Sequence, residues 1–156
     1  MADIFKDNEK INRNDFQNEK EFCDYIELNI AVFCKDLLDG ELESYKREWF
    51  LNDLFPKFGT NKPRIDFMIK LKDGRRVGVE CKNPKNLFSE LARTLSQLLA
   101  YSVIAEENKA PLDELILVTS GYDDYLIKVV KKFNLPVRVF LLNRLYHSEV
   151  KYKKDE

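Results

Sequence analysis

The order of elements along the chain predicts an α/β fold, a central mixed sheet of four to five strands with helices on both faces. Three observations carry that prediction. Apolar residues recur at three- and four-residue steps in some segments and alternate in others, giving the order α-β-β-β-α-β-α-β. An Asp73-Gly74 pair between two alternating stretches marks a hairpin. A composition of 44% hydrophobic and 12% aromatic residues over 156 positions supports one packed domain, 1–156, with its core at about 16–143 and frayed ends.

Each element follows from its local pattern. Phe16 to Leu38 reads as one helix, because Phe22, Ile26, Ile30, Phe33 and Leu37 share a side and Gly40 stops it. Ser44 to Leu51, rich in aromatics, reads as a strand. Asn52 to Lys62, with Pro56, Gly59 and the following Pro63, reads as a loop. Two short strands flank Asp73-Gly74, and Asn83-Pro84 ends the second. A long helix covers Leu87 to Glu107, with Leu91, Leu95, Leu98, Leu99 and Val103 as its buried side. Leu115 to Thr119 is an apolar strand, and Ser120-Gly121 caps a helix that reaches about Phe133. Val137 to Leu142 is the last strand. The tail beyond it is polar, and His147 reads as a lone surface histidine.

Charge and cysteine content exclude several classes of function. Lys and Arg (26) nearly balance Asp and Glu (27), so the chain has no uniformly basic coat for nucleic acid, although local basic patches remain open. Lys128, Lys131 and Lys132 form one such patch, read either as a solvated helix side or as a path for a DNA backbone. No apolar run approaches the roughly 18 residues that span a membrane. The opening residues lack a secretory leader, which predicts a cytoplasmic location with no membrane partner. Three cysteines without a CxxC pair predict neither a disulfide framework nor a structural zinc site nor a redox motif.

The hairpin carries the chemistry. A two-residue loop at Asp73-Gly74 would mix charged and apolar side chains on each face. A three-residue loop, Lys72-Asp73-Gly74 with Gly74 left-handed, shifts the pairing by one residue. Ile65, Phe67, Ile69 and Leu71 then share a face with Val77, Val79 and Cys81. The other face holds Asp66, Met68 and Lys70 beside Arg76, Gly78, Glu80 and Lys82. In this register Asp66 faces Glu80, with Cβ atoms roughly 5 Å apart, and Lys82 follows on the same side. Two carboxylates this close stay ionised only with a cation between them, and hard oxygen ligands suit Mg²⁺ or Mn²⁺. The lysine beside them suits attack by water on a phosphodiester. Gly78 on this face signals close approach of a ligand or another backbone. The plainer reading is a solvated cluster of surface ion pairs.

Pro63-Arg64-Ile65-Asp66, Val79-Glu80-Cys81-Lys82-Asn83-Pro84 and Gln97-Leu98-Leu99-Ala100-Tyr101 together resemble the PD-(D/E)xK nuclease superfamily. The third block is similar to the QxxxY motif of its RecB-type nucleases and of type I restriction subunits. The likeness runs over about residues 19–142. The one departure is that Arg64 and Ile65 separate the proline from Asp66. The resemblance implies a restriction-endonuclease-like core of three α/β/α layers. It also implies a Mg²⁺- or Mn²⁺-dependent DNA nuclease, more endo- than exonucleolytic, that leaves 5′-phosphates. Asp66, Glu80 and the Cys81 backbone carbonyl would hold the metal, and Lys82 would position the attacking water. Gln97 would orient active-site groups or contact phosphate, and Tyr101 would line the nucleic-acid channel. Arg64, Lys85 and Arg93 would contact phosphates. DNA is the implied partner, bound by a homodimer or within a larger nuclease complex. The four cysteines of iron–sulfur RecB-type nucleases are absent, so no cluster is expected.

Such nucleases also carry an acid on the first helix that reaches the metal through water. Glu19, Glu21 and Glu27 are the candidates. Glu19 aligns with the apolar stripe of Phe22, Cys23, Ile26 and Ile30, and Glu21 stands second. Interaction with the helix dipole is the other reading of Glu19. Glu48 reads as a plain strand residue, with a secondary metal ligand as its other role. The second functional reading of the chain is a catalytically inactive nucleic-acid-binding or scaffold module on the same fold.

Overall fold

The computed structural model describes residues 16–50, 64–84, 87–121, 123–142 and 147–150, and among them are six strands and four helices, all but the last strand following the alternating or periodic apolar pattern. The helices are α1 (Glu19–Leu28), α2 (Ile30–Leu37), α3 (Leu87–Glu107) and α4 (Asp124–Lys132). The strands are β1 (Leu42–Phe50), β2 (Arg64–Leu71), β3 (Arg76–Lys82), β4 (Glu114–Thr119), β5 (Val137–Leu142) and β6 (His147–Val150). The sheet runs β1-β2-β3-β4-β5-β6, parallel across β3-β4-β5 and antiparallel elsewhere.

The mixed α/β architecture is the predicted one, with helices on both faces. Phe22 and Ile26 of α1 and Ile30 and Phe33 of α2 pack with Phe67, Val79, Ile116 and Phe140 on one side of the sheet. Leu91, Leu95 and Leu98 of α3 and Leu126 and Ile127 of α4 cover Leu115, Leu117, Val139 and Leu141 on the other. Both parallel crossovers, β3-α3-β4 and β4-α4-β5, therefore use the same face, as two successive crossovers of one hand must.

Four details differ from the sequence pattern. The first helix is broken at Asn29, whose side-chain amide donates to the Tyr25 carbonyl (2.9 Å). The apolar stripe crosses the break with Ile26 and Ile30 both buried, so periodicity alone shows one helix. Val103 is 52% exposed and lies outside the buried side of α3, where Ala105 packs instead. The cap of α4 is Asp123, which accepts a hydrogen bond from the Leu126 N–H (3.0 Å), rather than Ser120-Gly121. Finally, β6 adds a strand beyond Val137 to Leu142, the last one expected. Its residues show no apolar alternation, and it joins through main-chain pairing with β5. The loop expected at 52–62, the first dozen residues, the last six and Lys85 lie outside the described residues.

The hairpin has the three-residue loop. Phe67 pairs with Val79, Met68 with Gly78, Ile69 with Val77 and Lys70 with Arg76. The Leu71 N–H donates to the Arg75 carbonyl (2.9 Å), and Gly74 has φ +98°, a conformation open to glycine at no steric cost. The clean two-face alternation holds as far as Phe67 and fails at Ile65. Ile65 packs with Trp49, Met68, Ala105 and Ala110, on the face opposite to its expected partners. Beside it on β1, Glu48 has φ +58°, between the pairs Arg47↔Phe67 and Trp49↔Ile65. Gly78 admits neither ligand nor backbone: a Cβ there would stand 2.8 Å from Leu112 Cδ1, so the position is filled by a core side chain.

Candidate active site

The paired ladder of β2 and β3 ends at Phe67↔Val79, and side chains take over the next hydrogen bonds. The Asp66 N–H donates to Glu80 Oε1 (3.0 Å), and the Cys81 N–H donates to Asp66 Oδ2 (2.8 Å). Each carboxyl therefore satisfies a backbone donor of the opposing strand, which fixes both acids against the sheet. Glu80 is 9% exposed and Asp66 is half-buried. Burial raises both carboxyl groups above the ordinary range. For Glu80 the nearby Asp66 charge adds to burial, and the group is pushed up to about 9. Such a pair shares a proton at neutral pH unless a cation replaces it.

Lys82 closes β3 and reaches across the layer to α1, where its Nζ lies 2.8 Å from Glu19 Oε1. Two ties hold that contact in place. The Asn83 side-chain amide donates to the Phe16 carbonyl (2.9 Å), just before α1. The Ser120 hydroxyl donates to the Asn83 side-chain Oδ1, and the Ser120 N–H donates to the Lys82 backbone carbonyl (3.0 Å). The sequence gave neither residue this role: Asn83-Pro84 read as a strand end and Ser120-Gly121 as a helix cap.

A cleft of about 220 Å³ gathers these groups. Arg64, Asp66, Glu80, Cys81 and Lys82 line it from the strands, Glu19 from α1, and Gln97 and Tyr101 from α3. Tyr101 is half-buried, and burial, followed by the Glu80 charge, raises its phenol. Arg93 is exposed on α3 and does not line the cleft, and Lys85 lies outside the described residues. Of the other acids on the first helix, Glu21 accepts a hydrogen bond from the Gln17 N–H (3.1 Å) at the helix start. Glu27 pairs with Arg47 (3.0 Å), which also holds Asp24 (2.6 Å) and so clamps α1 to β1. Glu48 lines a larger neighbouring cavity of about 590 Å³, which also touches Glu19, Arg64 and Asp66.

Cys81 is core packing, as its alternation suggested, but it does not stand alone. Its sulfur, the Cys23 sulfur and a carboxylate oxygen of Asp66 all lie within 4.8 Å of one another. The absence of a CxxC pair gave no hint of this grouping, because the two thiols come from α1 and β3. The available signal was that Cys23 stands one helical turn beyond Glu19 on the same face.

No protein-family profile matches the chain. Among curated proteins it is similar to the small ribosomal subunit protein uS2 of Dictyoglomus thermophilum, 29% identical over 94 residues, 60% of this chain and 38% of that protein. The uS2 of Dictyoglomus turgidum gives the same figures. Among solved structures it is similar to a repair endonuclease from Pyrococcus abyssi, with 20% identity, a TM-score of 0.46, and coverage of 75% of this chain and 46% of that one. It is also similar to the EndoMS–dsDNA2 complex, with 21% identity, a TM-score of 0.41, and coverage of 74% and 44%. The chain thus spans less than half the length of each of these proteins. Neither a family nor a chemistry follows from matches of this extent, so function has to be read from the side chains.

Proposed function

We propose that the chain is a metal-dependent DNA nuclease of the PD-(D/E)xK type, acting as an endonuclease. One observation supports this above the others: a buried and a half-buried carboxyl group on adjoining strands contact each other and share a cleft with a lysine, a glutamine and a tyrosine. Burying two acids together is costly, and the arrangement has a chemical purpose if a divalent cation neutralises them.

The donor set fits a hard cation. Asp66 and Glu80 offer carboxylate oxygens, Cys81 its backbone carbonyl, and Glu19 an outer contact through water. When bound, Mg²⁺ or Mn²⁺ would supply Lewis-acid stabilisation of the charge that gathers on the phosphoryl oxygens. The remaining work belongs to the chain. Asp66 and Glu80 would hold the ion through their carboxylates, both then deprotonated. Lys82, fixed at its Nζ by Glu19, orients the attacking water and donates to the scissile phosphate. Gln97 donates its amide to a phosphate oxygen, and Tyr101 forms the channel wall. Arg64 holds a phosphate of the bound strand, and Arg93 and Lys85 contact its backbone.

Supercoiled plasmid titrated with Mg²⁺ tests the reading. Wild type nicks the plasmid, and Lys82→Ala loses about 10²-fold or more of the rate while still binding DNA. Binding without cleavage by either protein would make the chain a nucleic-acid-binding module.

A further inference from the structure

The thiols of Cys23 and Cys81, grouped with an Asp66 oxygen, have no role in the cleft chemistry just described. We propose that Cys23, Cys81 and Asp66 form a second metal site, selective for a thiophilic divalent ion of the zinc class, and that it shares Asp66 with the cleft.

The geometry is close to what such an ion requires. Tetrahedral zinc with thiolates at about 2.3 Å sets its sulfurs about 3.8 Å apart, and a carboxylate oxygen lies slightly nearer. The three donor atoms here lie within 4.8 Å of one another, so closure needs movements of about 1 Å or less. Each donor sits on a separate regular element, α1, β2 and β3, so the site is held by the packed layers rather than by a loop. Access exists from outside, since Cys23 and Asp66 line the cavity of about 590 Å³ beside α1.

Donor chemistry separates this site from the acidic pair. Two sulfurs and one oxygen favour a borderline-soft ion over Mg²⁺, whereas the acidic pair and a carbonyl favour the reverse. Binding releases two thiol protons and leaves two thiolates and one carboxylate around the ion. Three protein ligands leave a fourth position for water. An ion held there draws the Asp66 carboxylate away from Glu80. Zinc then inhibits the proposed nuclease, and this consequence alone rests on that reading.

Titration of the full chain with Co²⁺, kept reduced by a non-thiol reductant, tests the site. One equivalent should develop a thiolate-to-cobalt charge-transfer band, and Zn²⁺ should displace it. Cys23→Ser and Cys81→Ser should lose the band, and Cys34→Ser, a buried thiol outside the group, should keep it. Cobalt bound without the band, or a band that survives Cys23→Ser, overturns the proposal. On the unaltered chain, Zn²⁺ should slow alkylation of Cys23 and Cys81 and leave that of Cys34 unchanged; equal rates at all three overturn it even if a variant fails to fold. In the plasmid assay with Mg²⁺, Zn²⁺ should slow nicking by wild type and have no effect on Cys23→Ser. Nicking that resists Zn²⁺ in wild type overturns the sharing of Asp66. No nicking by any protein removes the nuclease reading, and the cobalt band still decides the site.

Discussion

Glu80 shows most directly how one residue sets the character of the site. Its pKa is raised in the fold, from 4.5 to about 9, by burial and then by the Asp66 charge. A carboxyl shifted upward contributes stability that is fully present below its unfolded value and is lost as pH rises through its folded one. In EDTA, wild type should therefore lose stability between about pH 5 and pH 9. Glu80→Gln should lose little over that range and be more stable than wild type by about 2 kcal/mol at pH 8, with the gap closing toward pH 5. Urea unfolding at several pH values measures this, and Mg²⁺ should raise the Tm of wild type but not of Glu80→Gln. Asp66 and Glu80 were legible as neighbours because the hairpin register converts spacing into proximity, but strict alternation set Asp66 and Cys81 on opposite faces, and an Asp66 oxygen instead lies within 4.8 Å of the Cys81 sulfur. Cys23 was not legible as a partner of Cys81, because two cysteines far apart in sequence meet only through layer packing. Glu48 carried no sequence sign of its positive φ, since glutamate has no preference for that region.

Among the elements, the hairpin was the most legible, and it controls the most. Only the three-residue loop separates apolar from charged residues, so the loop length could be chosen by burial alone. Gly74 provides the left-handed residue that this loop needs, and no neighbour comes within 4 Å of a Cβ built there. Gly74→Ala should cost about 1 kcal/mol through backbone strain alone, and Gly74→Asn should cost less. Thermal melts check both, and the folded variants should keep the wild-type response to Mg²⁺. The break at Asn29 was hidden for the opposite reason. The stripe keeps its phase across the break, so burial gives no sign of where one helix ends. Ile65 left its predicted face because the β2–β3 ladder stops at Phe67↔Val79, after which alternation is no longer enforced.

For the whole molecule, the layer architecture followed from the order of elements, because two crossovers between parallel strands leave few arrangements. The sixth strand did not, since β6 pairs through its backbone and carries no hydrophobic signature. None of the described helices is long and apolar enough to cross a membrane. With a net charge of −1, the proposed grip on DNA should come from local groups of cations rather than from a basic coat. With Ca²⁺ in place of Mg²⁺, the chain should bind duplex DNA without cutting it. Its log K should fall with log salt at a slope of about −3, as for three to four phosphate contacts. Fluorescence anisotropy at several salt concentrations checks that slope. The topology also has a kinetic consequence. Asp66 and Glu80 are 14 residues apart, whereas the contact of Arg76 with Asp113 that opens the first crossover spans 37. Short-range contacts cost less loop entropy to close, so the two acids are expected to meet before the parallel strands assemble. Divalent ions should therefore speed refolding itself, steepening the gain on the folding arm of the chevron, and Glu80→Gln should fold fast without them.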